Sequence, residues 1–193
     1  MLGLQLPTDP RWANLAAYSL EEILTDHAFC EQKAASTMIS IIQLHSERPK
    51  IVNELAPIVT EEWGHFRMVL NEINKRGFQL GPQRKDEYVK ALFKFIYKGG
   101  SKTDRLIEQL LMCALIEARS CERFRTLHEN LEDEYLKNFY YKFMVSEAGH
   151  YRLFLDLAKQ HKPEEEVVSR WKEWLAFDEE ILSTLEARAD RIH

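Results

Sequence analysis

Two stretches of this 193-residue sequence decide its fold: Glu62-Trp-Gly-His65-Phe-Arg-Met-Val-Leu70 and Glu147-Ala-Gly-His150-Tyr-Arg-Leu-Phe-Leu155. They are identical at five of nine positions and lie 85 residues apart. Each carries a Glu-x-x-His pair, which a helix places on one face because residues three apart are neighbours on its surface. Glu31 and Glu117 begin a second, weaker match at an offset of 86. The sequence therefore predicts a duplicated helical hairpin.

The composition favours long helices, because 45% of the residues are hydrophobic and only seven Gly and six Pro interrupt the chain. After an irregular start containing Pro7 and Pro10, the spacing of apolar residues predicts helices over about 19–45 and 49–76, then 103–131 and 133–161. A capping box at residues 19–22 starts the first, and Gly77 ends the second, which Pro57 should kink or delay. A crossover over 78–102 holds a short helix at 86–97, and a terminal helix covers 163–191.

Near its middle, the apolar seam of each long helix is interrupted by an acidic residue. Burying one unpaired carboxylate costs several kcal/mol, so four of them call for bound cations. One Glu from each of two helices plus Glu-x-x-His from each of the other two is the ligand set of di-iron and di-manganese bundles. We therefore predict an all-α, ferritin-like four-helix bundle with a long crossover and an additional C-terminal helix, as a single domain over 1–193. The predicted metal ligands are Glu31, Glu62, His65, Glu117, Glu147 and His150.

Other interpretations stay open at this level. The bundle could be a metal-free interaction module with satisfied polar core residues. Glu122 competes with Glu117, but five residues place it about 140° around the helix, off the seam. Gly64 and Gly149 occupy the same slot in both repeats, which predicts close packing beside the site. Several inward or repeated residues receive no role: His27, His45, His128, Arg67 and Arg152.

The charge balance argues against a molecule that is basic overall. The formal net charge is −5, so any RNA contact needs a local patch. Residues 84–105 hold seven Lys and Arg interleaved with Tyr88, Phe93, Phe95 and Tyr97. A solvated amphipathic helix explains this segment as well as a phosphate-tracking patch does.

Several classes of protein are excluded. The longest uncharged run, 34–46, is too short and too polar to span a bilayer, and the N-terminus lacks the features of a secretory signal. We therefore expect a cytoplasmic location. Three cysteines without a C-x-x-C pair argue against a disulfide framework or a zinc ribbon. A radical-generating reductase subunit carries Tyr where Val69 stands, and the cysteine-rich module of rubrerythrins is missing.

The sequence as a whole resembles the bacterial tRNA hydroxylases that act on 2-methylthio-N6-isopentenyladenosine. The resemblance rests on Leu6-Pro-Thr-Asp-Pro-Arg-Trp12, on Glu31-Gln-Lys-Ala-Ala-Ser36, and on the two E-x-G-H-[FY]-R repeats. It implies O₂-dependent hydroxylation of the isopentenyl group beside the anticodon, giving 2-methylthio-cis-ribozeatin, with two iron ions and an electron donor that the sequence does not identify. Manganese is the less favoured metal. The alternative is a ferroxidase or a peroxide-scavenging di-metal protein.

With a tRNA partner implied, the basic crossover becomes the preferred RNA contact, because positive side chains with interleaved aromatic rings are typical of single-stranded RNA binding. The predicted tRNA-binding residues are Arg84, Lys85, Lys90, Lys94, Lys98 and Lys102.

Overall fold

The computed structural model describes residues 3–83, 85–184 and 192, and every regular element in this described part is an α-helix. The helices are α1 (Arg11–Tyr18), α2 (Leu20–Leu44), α3 (Pro49–Lys75), α4 (Glu87–Phe95), α5 (Lys102–Asn130), α6 (Glu134–His161) and α7 (Glu164–Thr184). The prediction of an all-α chain is confirmed. The predicted last turns of the terminal helix, up to residue 191, and the candidate Arg84 lie outside the described residues.

Helix α1 corrects the prediction of an irregular start. The backbone N–H of Arg11 donates to Asp9 Oδ1 at 2.9 Å, and that of Trp12 donates to the Asp9 carbonyl at 2.9 Å. Trp12, Ala13 and Ala16 are buried at helical spacing. Pro10 immediately precedes the helix, where its missing N–H costs nothing. Because α1 leads directly into α2, Ser19 sits at a junction and makes no side-chain capping bond, so the predicted capping box is wrong.

The helices fall into two compact units, and the unit that we call the first contains α2 and α3. These two pack along each other, joined by residues 45–48. Helix α3 begins at Pro49 and runs through Pro57, so the delayed start is wrong. Gly77 follows its end with φ 75°, as predicted, and Phe78 N–H donates to the Ile73 carbonyl at 3.0 Å, which is a Schellman motif.

The second unit contains the N-terminal residues up to 14 and helices α4 to α7. Helices α5 and α6 pack along each other, and Asp133 caps α6 by accepting from the Tyr135 and Leu136 N–H groups. Phe124 of α5 stacks on Tyr140 of α6 with 5.7 Å between ring centroids. Helix α7 contacts α5 and α6, and α4 contacts α7. The short helix α4 of the crossover is thereby anchored to the same unit.

Residues 76–101 connect the two hairpins, and α4 is the one helix among the described residues of this connection, 76–83 and 85–101. Two hairpins with one long crossover is the connectivity of ferritin-like bundles. The single domain over the whole chain stays a prediction. None of the described helices combines the length and the hydropathy needed to cross a bilayer.

Candidate metal centre

Glu31 of α2 and the Glu62 and His65 pair of α3 come together inside the first unit. Each offers one ligand atom, and the three atoms lie within 4.8 Å of one another. His65 Nδ1 is 3.4 Å from Glu31 Oε2 and 3.7 Å from Glu62 Oε2. All three residues are buried, Glu62 completely. We call Glu31, Glu62 and His65 the first triad.

The repeat is reproduced in the second unit by Glu117 of α5 and the Glu147 and His150 pair of α6. One ligand atom from each again lies within 4.8 Å of the others. His150 Nδ1 is 3.2 Å from Glu147 Oε2, and all three residues are buried. We call Glu117, Glu147 and His150 the second triad.

The donor chemistry of each triad fits a divalent metal ion. Two carboxylates and one imidazole form an oxygen-rich set without thiolate, which suits iron or manganese better than structural zinc. Two buried carboxylates in one triad repel each other, and a cation between them would offset both the repulsion and the loss of hydration. Each triad is thus able to hold one ion.

His27 lies beside the first triad, one turn before Glu31 on α2. Its Nε2 is 2.7 Å from Glu31 Oε1, and its side chain is fully buried. His27 has no predicted role in the sequence analysis, although it stands four residues before Glu31 and a helix therefore places both on the same face. The corresponding position in the second half of the repeat is Cys113, so the two triads differ in this neighbour.

His45 and His128 lie elsewhere. His45 is buried at the end of α2. His128 Nδ1 is 3.0 Å from the Lys137 carbonyl, and its ring packs against Tyr141 with 5.0 Å between centroids. His128 therefore links α5 to α6.

Glu122, the rival of Glu117 in the sequence, is engaged with the N-terminal segment. Its Oε1 accepts from the Thr8 N–H at 2.8 Å and its Oε2 from the Thr8 hydroxyl at 2.6 Å. Arg119 donates to the Leu6 carbonyl at 2.9 Å and to Glu122 Oε2 at 3.4 Å. Sequence reasoning missed this anchor, although the quoted stretch 6–12 contains it. Both carboxylate oxygens of Glu122 thus accept hydrogen bonds from other residues of the protein.

The two repeated glycines do not provide close packing. A Cβ atom added at Gly64 or at Gly149 would meet no described atom within 4 Å. The prediction of close packing is wrong at both positions. At Gly149 the open space belongs to a cavity of about 660 Å³, lined by residues of α5, α6 and the N-terminal segment.

The arginines that follow the two histidines, Arg67 and Arg152, are exposed. Within the described residues neither forms an ion pair. The described residues therefore give no support to surface ion pairing as the role of Arg67 and Arg152. Arg152 lines the cavity beside Gly149.

The crossover lysines are all at the surface, although only some of the aromatic residues among them are. The exposed lysines are Lys85, Lys90, Lys94, Lys98 and Lys102. Tyr88 is buried and donates to Asp178 Oδ1 at 2.8 Å. Phe95 stacks on Phe177 with 4.1 Å between centroids. Phe93 and Tyr97 remain 52% and 59% exposed, so two of the four rings are available to a ligand.

Cys121 lies one turn beyond Glu117 on α5. Burial raises the pKa of its thiol to about 11, and the nearby Glu147 carboxylate acts in the same direction. Its Sγ donates to the Met144 carbonyl at 3.3 Å. Cys121 is therefore a protonated thiol at neutral pH.

The chain is similar to known tRNA hydroxylases over most of its length. The family model described as tRNA-(MS[2]IO[6]A)-hydroxylase (MiaE) matches residues 2–193. A tRNA 2-(methylsulfanyl)-N(6)-isopentenyladenosine(37) hydroxylase of Pseudomonas putida is 35% identical over 85% of this chain and 78% of its own. The protein of the same name from Salmonella typhimurium is 28% identical, over 84% and 77% of the two chains.

A solved structure matches over nearly the whole chain. Protein 43 with aldehyde deformylating oxygenase activity, from Synechococcus, superimposes with a TM-score of 0.92 at 33% identity, covering 98% of this chain and 94% of the other. The predicted ferritin-like fold class is confirmed. With a family model that spans residues 2–193, the chain belongs to the tRNA-(MS[2]IO[6]A)-hydroxylase family.

Proposed function

We propose that this chain is a di-iron tRNA hydroxylase. Its substrate is 2-methylthio-N6-isopentenyladenosine beside the anticodon, and its product is 2-methylthio-cis-ribozeatin. The observation that carries the proposal is the match of the whole chain to a tRNA hydroxylase family, together with two buried triads of carboxylates and imidazole. The cytoplasm, where a tRNA substrate would be met, stays the predicted location.

In this proposal the six residues of the two triads hold two iron ions between them. Glu31 and Glu117 are ligands from single positions, and the two Glu-x-x-His pairs supply the remaining four. Four carboxylates and two divalent ions together carry little net charge, which lowers the free-energy cost of burying the carboxylates. The same donors would accept manganese, which we regard as the less favoured metal.

The chemistry that bound iron supplies is reductive activation of O₂, so that one oxygen atom enters a prenyl C–H bond and the other leaves as water. Two electrons and two protons complete this balance, and a separate electron donor must deliver the electrons. The hydrogen bond between His27 and Glu31 fixes one oxygen of that carboxylate and leaves Oε2 toward His65. His27 is thus a positioning residue of the first triad.

The RNA contact that we propose is the exposed face of the crossover. Lys94 and Lys98 directly follow Phe93 and Tyr97 in the sequence, and all four side chains are exposed, so this segment offers both positive charge and stacking surfaces. Gly99 makes room for Tyr97, because a Cβ there would lie 2.5 Å from the tyrosine hydroxyl. An anticodon-loop base is already single-stranded, so presenting it costs less than flipping a base out of a duplex.

The direct test incubates iron-loaded protein with prenylated tRNA that lacks the hydroxyl group, together with O₂ and a reductant. Mass spectrometry of the nucleosides should find one added oxygen atom on the prenyl group, derived from O₂. Unchanged nucleoside, with rapid oxidation of Fe(II) or consumption of peroxide in the absence of RNA, would favour the ferroxidase or peroxide-scavenging alternative.

Metal analysis tests the ligands separately. The wild-type chain should bind about two irons, and His65→Ala or His150→Ala should each lose about one while keeping its helicity. Glu179→Gln, which changes an exposed carboxylate on α7, is the matched control and should keep the full iron content. Equal iron in all four proteins would reject the ligand set, and no iron in the wild type would favour the metal-free interaction module.

A further inference from the structure

A cavity of about 660 Å³ opens on the second unit beside the second triad. It lies against α5 and α6, and its lining includes Ala148 and Gly149, the two residues between the ligands Glu147 and His150. Its volume is within the roughly 300–1,000 Å³ of small-molecule sites. The metal ligation proposed above does not use this space.

The charges around the cavity are predominantly positive. Arg125 of α5 and Arg152 of α6 both line it, both are exposed, and neither forms an ion pair within the described residues. The carboxylate among the lining residues, Glu122, is already engaged by Thr8 and by the buried guanidinium of Arg119. The two guanidinium groups therefore lack an anionic partner in the described part of the chain.

The rest of the lining is apolar and neutral. Leu4, Pro7 and Met144 contribute hydrocarbon surface, and the Cys121 thiol closes one side by donating to the Met144 carbonyl. A pocket with apolar walls and two exposed guanidinium groups among its lining residues suits a group that joins a flat organic part to a phosphate. Guanidinium binds phosphate through paired hydrogen bonds, which makes Arg the preferred residue at such sites.

We propose that this cavity binds a nucleotide of the tRNA substrate, with Arg125 and Arg152 contacting its phosphate. The proposal rests on the function proposed above, because that function supplies RNA as the polyanionic ligand. It adds a second RNA contact to the crossover face, on residues that flank the second triad. The overall charge of −5 makes such local patches necessary for RNA binding.

The test measures binding of a full-length, unmodified tRNA transcript to the iron-loaded protein by fluorescence anisotropy at several salt concentrations. Arg125→Gln/Arg152→Gln should weaken binding at least about ten-fold and reduce the slope of log K against log salt by about 1–2. Lys142→Gln/Lys172→Gln is the control for two lost charges, since both lysines are exposed and neither is part of the cavity lining. An equal effect of the arginine variant and the control would overturn the proposal.

A second pair of variants tests occupation of the cavity without changing charge. Gly149→Leu would extend a side chain into the open space, whereas Gly64→Leu makes the same change at the equivalent slot of the other repeat. Weaker RNA binding by Gly149→Leu alone supports the proposal, and equal binding by both variants contradicts it. Circular dichroism and iron content verify that each variant is folded and loaded.

The outcome is separable from that of the proposed reaction. An unmodified transcript carries no prenyl group, so the binding measurement is independent of turnover. Loss of binding in the arginine variant stands even if no hydroxylation is found. Normal hydroxylation by the wild type, with unchanged RNA binding in the variants, removes this proposal and leaves the proposed function in place.

Discussion

Arg119 of α5 and Asp178 of α7 form an ion pair in which both side chains are fully buried. Asp178 also accepts the hydroxyl hydrogen bond of Tyr88 from α4, at 2.8 Å. The other side of the Arg119 guanidinium donates to the Leu6 carbonyl. One buried charge pair therefore ties the crossover helix, the terminal helix and the N-terminal segment to α5, the helix that carries Glu117.

Removing one partner of this pair should be severely destabilising. Asp178→Ala leaves the Arg119 guanidinium buried without its main counter-charge, which costs about 3–5 kcal/mol in the free energy of unfolding. Urea denaturation followed by circular dichroism measures the change. Glu179→Ala is the matched control, since its carboxylate is exposed and its effect should stay within about 0.5 kcal/mol.

The double variant Arg119→Met/Asp178→Leu sharpens that test. Replacing a buried pair by apolar residues of similar volume is often close to neutral, so the double variant should be markedly more stable than Asp178→Ala. A loss of stability no larger for Asp178→Ala than for the control would contradict the role assigned to the pair.

The anchor of the N-terminal segment is open to a similar test. Thr8→Val keeps the shape of the side chain but removes the hydroxyl that donates to Glu122 at 2.6 Å. Hydrogen bonds to charged groups contribute about 1.5–3 kcal/mol, and the unfolding free energy should fall by that amount. Ser40→Ala removes an exposed hydroxyl that bonds only within its own helix and should have little effect. Equal losses in both variants would argue against the anchor.

The long helices were predictable because their apolar residues recur at helical spacing over several turns. The bounds of α3 and α6 differ from the predicted bounds by no more than one residue at either end. Helix α1 was missed because it is short and lies beside two prolines, and because the burial of Trp12 depends on distant residues such as Arg123, whose guanidinium lies 4.5 Å from its ring. Local patterns carry no information on such contacts.

Some features of the candidate site could likewise be predicted from the sequence, and others could not. The internal repeat identified all six candidate ligands, since both the chemistry and the spacing are local. Thr8, which donates to Glu122, and Asp178, which accepts from Tyr88, lie 114 and 90 residues away from those residues in sequence, and no local pattern indicates either contact. The glycines between the ligands do not follow the sequence prediction for a related reason. A helical glycine is compatible with a close neighbour or with open space, and only the three-dimensional structure distinguishes the two.

The thiol of Cys121 should titrate well above an ordinary cysteine. Burial raises its pKa to about 11, so the folded protein keeps the proton between about pH 8.5 and 11, where the unfolded chain loses it. Any stability that this shift contributes is thus present below about pH 8.5 and is lost as the pH rises toward 11. Because the thiolate is the nucleophile, the rate of alkylation by iodoacetamide should rise about ten-fold per pH unit from pH 8 to 10.

Peptide mass spectrometry of the alkylated protein measures this rate at Cys121 alone. In urea the alkylation rate of the same cysteine should be half-maximal near pH 8.5 and reach its plateau about one pH unit higher, which provides the control within one molecule. A plateau at that pH in the folded protein would contradict the raised pKa.

The exposed ring of Tyr97 should matter to RNA binding, if the crossover is the contact proposed here. Stacking of a base on an aromatic side chain contributes about 1–3 kcal/mol, so Tyr97→Ala should weaken binding of an anticodon stem-loop RNA about ten-fold. Tyr18→Ala is the matched control, because Tyr18 is 92% exposed on α1 and has no basic neighbours in the sequence. Stacking is less dependent on salt than charge contacts are. The loss of RNA affinity in Tyr97→Ala should therefore persist at high salt, whereas the loss in Lys94→Gln/Lys98→Gln should become smaller. Equal affinities of Tyr97→Ala and Tyr18→Ala would exclude this face as the stacking surface.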